Sequence, residues 1–177
     1  MRNNLVFTLT GPDRIGIVEE VTQVLLEHDG NVETSRMVRL GGEFAILMLV
    51  SIPMDQIASL SKAVESLIAE GYQITTSQTD QVYAAKQRGW LPYQIELQGA
   101  DHEGIVHEIA RYLSQRGINI EAMDTALVAA PMSGVPLFTM TAQVAVPPDL
   151  IEQDWVAALE GVGHQLNVDI QVSAVNS

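Results

Sequence analysis

The chain has 177 residues, 47% of them hydrophobic, and 9 Lys and Arg against 22 Asp and Glu give it a formal charge of −13. This length suits one large domain or two small ones. The acidity excludes direct DNA or RNA binding by this chain alone, because phosphate contacts need clustered cations. It also argues against an anionic membrane surface and leaves a basic protein partner open.

No cysteine is present, which excludes disulfides, thiolate nucleophiles and zinc–thiolate sites. No apolar run approaches the ~18 residues of a membrane span. Met1-Arg2-Asn3-Asn4 leads straight into a strand pattern and not a signal peptide, so a cytoplasmic location is expected.

Leu5 to Thr10 alternates as a strand with Leu5, Phe7 and Leu9 on one face. A turn follows at Gly11-Pro12-Asp13-Arg14-Ile15-Gly16, with Asp13 as the expected N-cap of a helix whose apolar positions are Ile15, Val18, Val21, Thr22 and Leu25. His28-Asp29-Gly30 closes that helix. Asn31 to Leu40 reads as a strand, Gly41-Gly42 as a hairpin turn and Glu43 to Ile52 as a third strand ended by Pro53. Ile57, Leu60, Val64, Leu67 and Ile68 mark a second helix, Gly71 stops it, and Tyr72 to Ser77 is a fourth strand. Strand, helix, strand, strand, helix, strand is the split βαβ, ferredoxin-like order, an α+β fold with both helices on one face of an antiparallel sheet.

The whole pattern then returns. Gly99-Ala100-Asp101-His102-Glu103-Gly104-Ile105-Val106 repeats Gly11 to Val18 at a fixed spacing: 99 − 11, 101 − 13, 104 − 16, 119 − 31 and 121 − 33 all equal 88. The expected domains are 1–79 and 92–177, joined by a linker over 80–91. The second unit is predicted as Tyr93 to Gln98, a helix from Glu103 to Arg116 with Asp101 as N-cap, Asn119 to Val128, Leu137 to Val146, a helix over Leu150 to Gly161, and Gln165 to Ser173. Its hairpin carries a longer loop, 129–136, which could cover a site or meet a partner. The third strand of the first unit is apolar on both faces, including Ala45, Leu47 and Leu49, whereas Gln94, Glu96, Gln98, Thr139, Thr141 and Gln143 make the open face of the second unit polar. The apolar face should therefore be covered, by the other unit or by a second chain, and its extent favours a homodimer.

Each turn offers the unpaired N–H groups and partial positive charge of a helix start, suited to a small carboxylate or phosphate. Gly16 and Gly104 could admit a ligand close to the turn or let the helix pack tightly on the sheet. Neither turn matches a nucleotide-binding loop. His28, His102, His107 and His164 form no metal motif, no nucleophile elbow or acid/base pair is marked, and Met37, Met48, Met123 and Met140 suit core or interface packing. No cofactor, metal or catalytic residue is expected, and an enzyme is disfavoured.

Asp13-Arg14-Ile15-Gly16-Ile17-Val18 with Gly30-Asn31-Val32, and their second copies, resemble the ACT domain along nearly the whole chain. The resemblance implies a regulatory module that binds an amino acid between paired domains, against the turn before the first helix and the start of the second strand. By position it implies ligand contacts from Gly11, Asp13, Ile15, Gly16 and Asn31, and from Gly99, Asp101, Glu103, Gly104 and Asn119. Two such domains together, with Ser35-Arg36-Met37, Leu40-Gly41-Gly42-Glu43-Phe44-Ala45 and Gly134-Val135-Pro136-Leu137-Phe138, are similar to the glycine cleavage system transcriptional repressor family. That similarity implies a response to glycine and contact with a DNA-binding transcriptional activator. The alternative is a detached regulatory subunit of an amino-acid metabolic enzyme. Glu103, which stands where the first copy has Ile15, makes the two turns electrostatically unequal.

Overall fold

The structure, a computed structural model, describes residues 1–79, 89–129, 136–150 and 153–175. It divides into two compact units, Met1–Val82 and Tyr83–Ser177.

In the first unit, β1 (Arg2–Pro12), α1 (Ile17–Glu27), β2 (Asn31–Leu40), β3 (Glu43–Pro53), α2 (Ile57–Ala63), α3 (Glu65–Ala69) and β4 (Gln73–Gln78) follow in order. The sheet is antiparallel in the order β2-β3-β1-β4. Alternation along β1 sends Leu5, Phe7 and Leu9 to the helix-covered face, where they are buried with Ile46, Met48, Val50 and Ile52 of β3. Ile17, Val21 and Leu25 of α1, and Leu60 and Leu67 of the second helical stretch, complete this core. The predicted second helix is two short ones, separated at Val64.

The second unit repeats the order with β5 (Leu91–Ala100), α4 (Ile105–Gln115), β6 (Asn119–Ala129), β7 (Pro136–Val146), α5 (Trp155–Gln165) and β8 (Val168–Ala174), its sheet running β6-β7-β5-β8. Its core gathers Ile95, Leu97, Ile109, Leu113, Met140, Val144, Trp155 and Leu159. Tyr93 meets Trp155 edge to face, with ring centroids 5.4 Å apart. The two-domain ferredoxin-like reading thus holds in both units.

Three local expectations are corrected. The last helix begins at Trp155 after Asp154, not at Leu150, because Pro148–Leu150 forms a separate 3₁₀ turn that buries Leu150. Asp13 and Asp101 are not N-caps: that position falls to Gly16 and Gly104, with φ of 93° and 94° and no side-chain capping bond. Ile15 lies outside the apolar face of α1 and is fully exposed, Ile17 taking the core position. Most of the expected linker, 80–88, and of the second hairpin loop, 130–135, lies outside the described residues; Leu91 already belongs to β5.

The helix-free faces differ as the alternation requires. Leu47 is 49% exposed on the first, beside partly buried Val6, Ala45 and Leu49. On the second, Glu96, Gln98, Thr139, Thr141, Asp169 and Gln171 border a polar concavity of about 350 Å³.

Candidate functional site

The two turns are built by backbone devices that a glycine satisfies. At Gly16 and Gly104 the chain takes a left-handed conformation and an added Cβ would meet nothing within 4 Å among the described residues, so φ and not crowding favours glycine there. Within each unit, then, these glycines do not serve close packing of the helix on the sheet. Crowding acts instead at Gly11 and Gly99. A Cβ on Gly11 would stand 2.5 Å from Tyr72 Cδ1, and one on Gly99 would stand 2.6 Å from Val168 Cγ1 and 2.9 Å from Asn167 O. Each strand end thus passes flush against the start of the last strand.

Side chains then lock the first turn. Tyr72, buried, donates its hydroxyl to Pro12 O at 2.9 Å, and Asp13 N–H donates to Gly42 O at 3.1 Å. Arg14 Nη2 reaches Glu20 at 2.5 Å and Glu70 at 3.0 Å, and its guanidinium lies 5.6 Å from the Tyr72 ring centre. Its hydrogen bond to Glu20 raises the guanidinium pKa further, so Arg14 is a permanent cation. Asp13 faces Arg39 at 3.7 Å.

The first i→i−4 bond of α1 runs from Glu20 N–H to Gly16 O at 3.0 Å, which leaves the amides of Val18 and Glu19 ahead of it without a helical acceptor. Beside them an open hollow of about 570 Å³ is bordered by Asp13, Arg14, Gly16, Val18, Thr22 and Phe44. In the second unit Glu108 N–H bonds Gly104 O at 2.9 Å, placing Val106 and His107 in the same positions. Here His102 replaces Arg14, its Nδ1 3.0 Å from Glu103 O and its Nε2 2.8 Å from Leu166 O. These carbonyls raise the imidazole pKa, and the charge of Asp101 adds to the effect.

The sheet register separates the remaining site residues from the turns. Gly11 pairs with Phe44, whereas Asn31 pairs with Ser51, so the two are offset by 51 − 44 = 7 residue steps along β3. In the second unit Gly99 pairs with Phe138 and Asn119 with Ala145, and 145 − 138 is again 7. At ~3.3 Å per residue that is about 23 Å along the strand, too far for one small amino acid to span. Each unit therefore brings together Gly11, Asp13, Ile15 and Gly16, or Gly99, Asp101, Glu103 and Gly104, and places its asparagine at the other end. Beside each asparagine the register of the edge strand shifts, at Val32/Thr34 and Ile120/Ala122, which leaves Glu33 and Glu121 as exposed bulge residues. Asn119 donates its amide to Glu121 Oε1, and its amide oxygen stays able to accept.

The sequence pattern does not mark Tyr72, Phe44 or the bond from His102 to Leu166 as parts of the turns. A signal existed for the last: 102 − 14 = 88 puts one basic residue in each turn. Tyr72 and Phe44 approach the turn only through sheet pairing.

The class defined by this architecture is a tandem ferredoxin-like module with a glycine-built turn before the first helix of each unit. The ACT domain profile matches residues 3–76. A UPF0237 protein of Methanopyrus kandleri is 35% identical over 86 residues, 47% of this chain and 94% of its own. Another, from Methanococcus maripaludis, is 36% identical over 69 residues, 38% of this chain and 77% of its own. The crystal structure of an unknown protein from Galdieria sulphuraria superposes with a TM-score of 0.86 at 35% identity, covering 99% of this chain and 100% of that one. That of a provisionally assigned glycine cleavage system transcriptional repressor gives 0.71 at 18% identity, covering 100% and 99%, and shows a shared fold. The chain belongs to the ACT-domain family.

No helix among the described residues is long and apolar enough to cross a membrane.

Proposed function

We propose that this chain is a non-enzymatic, amino-acid-responsive regulator of the glycine cleavage repressor type, acting through protein contacts and not on DNA. The observation that carries the reading is the turn itself. It occurs twice at one spacing, with the same left-handed glycine and the same pair of amides ahead of the first helical bond. Amides at a positive helix end suit a carboxylate, and an asparagine carbonyl suits an ammonium.

Because those two halves lie about 23 Å apart within each sheet, the zwitterion site is bipartite. Two copies of the chain with their β2 edges antiparallel would bring Asn31 of one copy to the sheet end that carries the turn of the other. This supports a homodimer as the ligand-binding form. The net charge of −13 supports a protein partner in place of nucleic acid.

Calorimetric titration with glycine, serine and the other common amino acids tests the sensor role. Saturable heat from a small amino acid is expected, and no binding up to about millimolar concentration, near −4 kcal/mol of binding free energy, would remove it. Affinity capture tests the partner: recovery of a transcriptional activator supports the repressor reading, and recovery of a biosynthetic enzyme replaces it with the regulatory-subunit reading.

A further inference from the structure

We propose that the second unit carries a proton-operated tie, in which His102 as an imidazolium fastens the β5–α4 turn to the C-terminal end of α5. The first unit makes the corresponding join with Arg14, 102 − 14 = 88 residues earlier. Arg14 holds Glu70, just past α3, at 3.0 Å. His102 Nε2 holds Leu166 O, just past α5, at 2.8 Å, while its Nδ1 holds Glu103 O at 3.0 Å.

Donor counting fixes the protonation state that the two contacts need. Both partners are carbonyl oxygens, which only accept, and a neutral imidazole has a single N–H. Only the doubly protonated ring satisfies both contacts. Loss of the proton sets a ring lone pair against a carbonyl lone pair, and an exposed side chain then turns away. The Leu166 carbonyl lies at the negative end of the α5 dipole, which favours a cation there.

On the turn, Asp101 favours the imidazolium, and Glu103 flanks it. On α4, Glu108 occupies the position of Glu20 but is paired with Arg111. His164 stands in the last turn of α5 and Asp169 near the start of β8.

The raised pKa of His102 sets the direction of the pH effect. The tie is complete below about pH 6.5, the ordinary imidazole value, and is lost as pH rises through the higher value of the folded chain. The first turn, joined by arginine, keeps its tie throughout. None of this depends on whether either turn binds an amino acid.

The test uses the full chain and its His102→Arg and His102→Ala variants, from about pH 5.5 to about pH 8.5. Ring-nitrogen NMR reads the protonation state of His102. Hydrogen exchange, corrected for intrinsic rate, reads the Glu108 and Leu166 amides, with Glu20 as the first-unit control. Two protonated ring nitrogens, a midpoint above about 6.5 and a several-fold fall in Glu108 and Leu166 protection across that midpoint are expected. His102→Arg should hold high protection at every pH, His102→Ala should hold low protection at every pH, and Glu20 should stay level. A midpoint at or below the ordinary value, or a fall in protection that persists in His102→Ala, overturns the proposal.

Discussion

Replacing Gly104 separates backbone conformation from crowding as the reason for its glycine. Its φ of 94° and ψ of −9° lie near the third position of a type II turn, and among the described residues nothing stands within 4 Å of an added Cβ. The cost of Gly104→Ala is therefore conformational, about 1–2 kcal/mol for a left-handed L-residue. Gly104→Asn should cost less, about 1 kcal/mol or below, because asparagine tolerates that region. At Gly99 the ranking should reverse: a Cβ there meets Val168 Cγ1 at 2.6 Å and Val168 Cα at 2.9 Å, so Gly99→Ala costs roughly 1–3 kcal/mol by overpacking and Gly99→Asn more. Urea unfolding followed by tryptophan fluorescence reads all four variants, since both tryptophans, Trp90 and the buried Trp155, lie in the second unit. If Gly104→Asn destabilises more than Gly104→Ala, the turn is sterically closed and the conformational account fails.

Tyr72→Phe removes the hydroxyl bond to Pro12 O and should lower first-unit stability by about 0.5–1.5 kcal/mol, read by circular dichroism during urea unfolding; an unchanged midpoint would show that this bond does not hold the turn. Leu113→Ala empties a fully buried position in the second core and should cost about 2–5 kcal/mol in the fluorescence-monitored transition, whereas a loss below that range would mean that the helix collapses onto the cavity. Fluorescence anisotropy of a labelled DNA duplex should stay flat as the chain is added at ~50 mM salt, and a rise that salt reverses would refute the exclusion of DNA drawn from charge.

Legibility in the sequence tracked how local each cause was. Gly41-Gly42 between two apolar runs marked the β2–β3 hairpin, and β2 has the expected bounds of Asn31 and Leu40. Alternation in β1 and β5 identified the buried faces for the same reason, since a period of two is visible without knowing the partner strand. The last helix starts later than the spacing predicts because Leu150 is apolar and correctly spaced, yet its burial comes from the 3₁₀ turn Pro148–Leu150. The capping assignment failed because an aspartate before a helix is a strong propensity signal, while a left-handed glycine three residues on is a backbone state that propensity does not encode. Crowding at Gly11 depends on Tyr72, 72 − 11 = 61 residues away, and becomes readable only once the sheet order is known. The separation of each asparagine from its turn was likewise hidden, since it follows from register.

What duplication has kept and what it has changed bear on how a ligand could be selected. The left-handed glycines, the crowded strand glycines and the bulges at Glu33 and Glu121 recur in both units, so both turns are aimed alike by the backbone. The side chains at the turns differ, and the basic groups nearby are already engaged: Arg14 by Glu20 and Glu70, Arg39 by Asp13, and His102 by two carbonyls. Under the proposed ligand role, a carboxylate would then be held chiefly by the amides of Val18 and Glu19, or of Val106 and His107. Such donors recognise the part that every amino acid shares. Discrimination would fall to the hollow bordered by Thr22 and Phe44 in the first unit, while Glu103 opposes an anion at the second turn, so the first turn should bind more tightly.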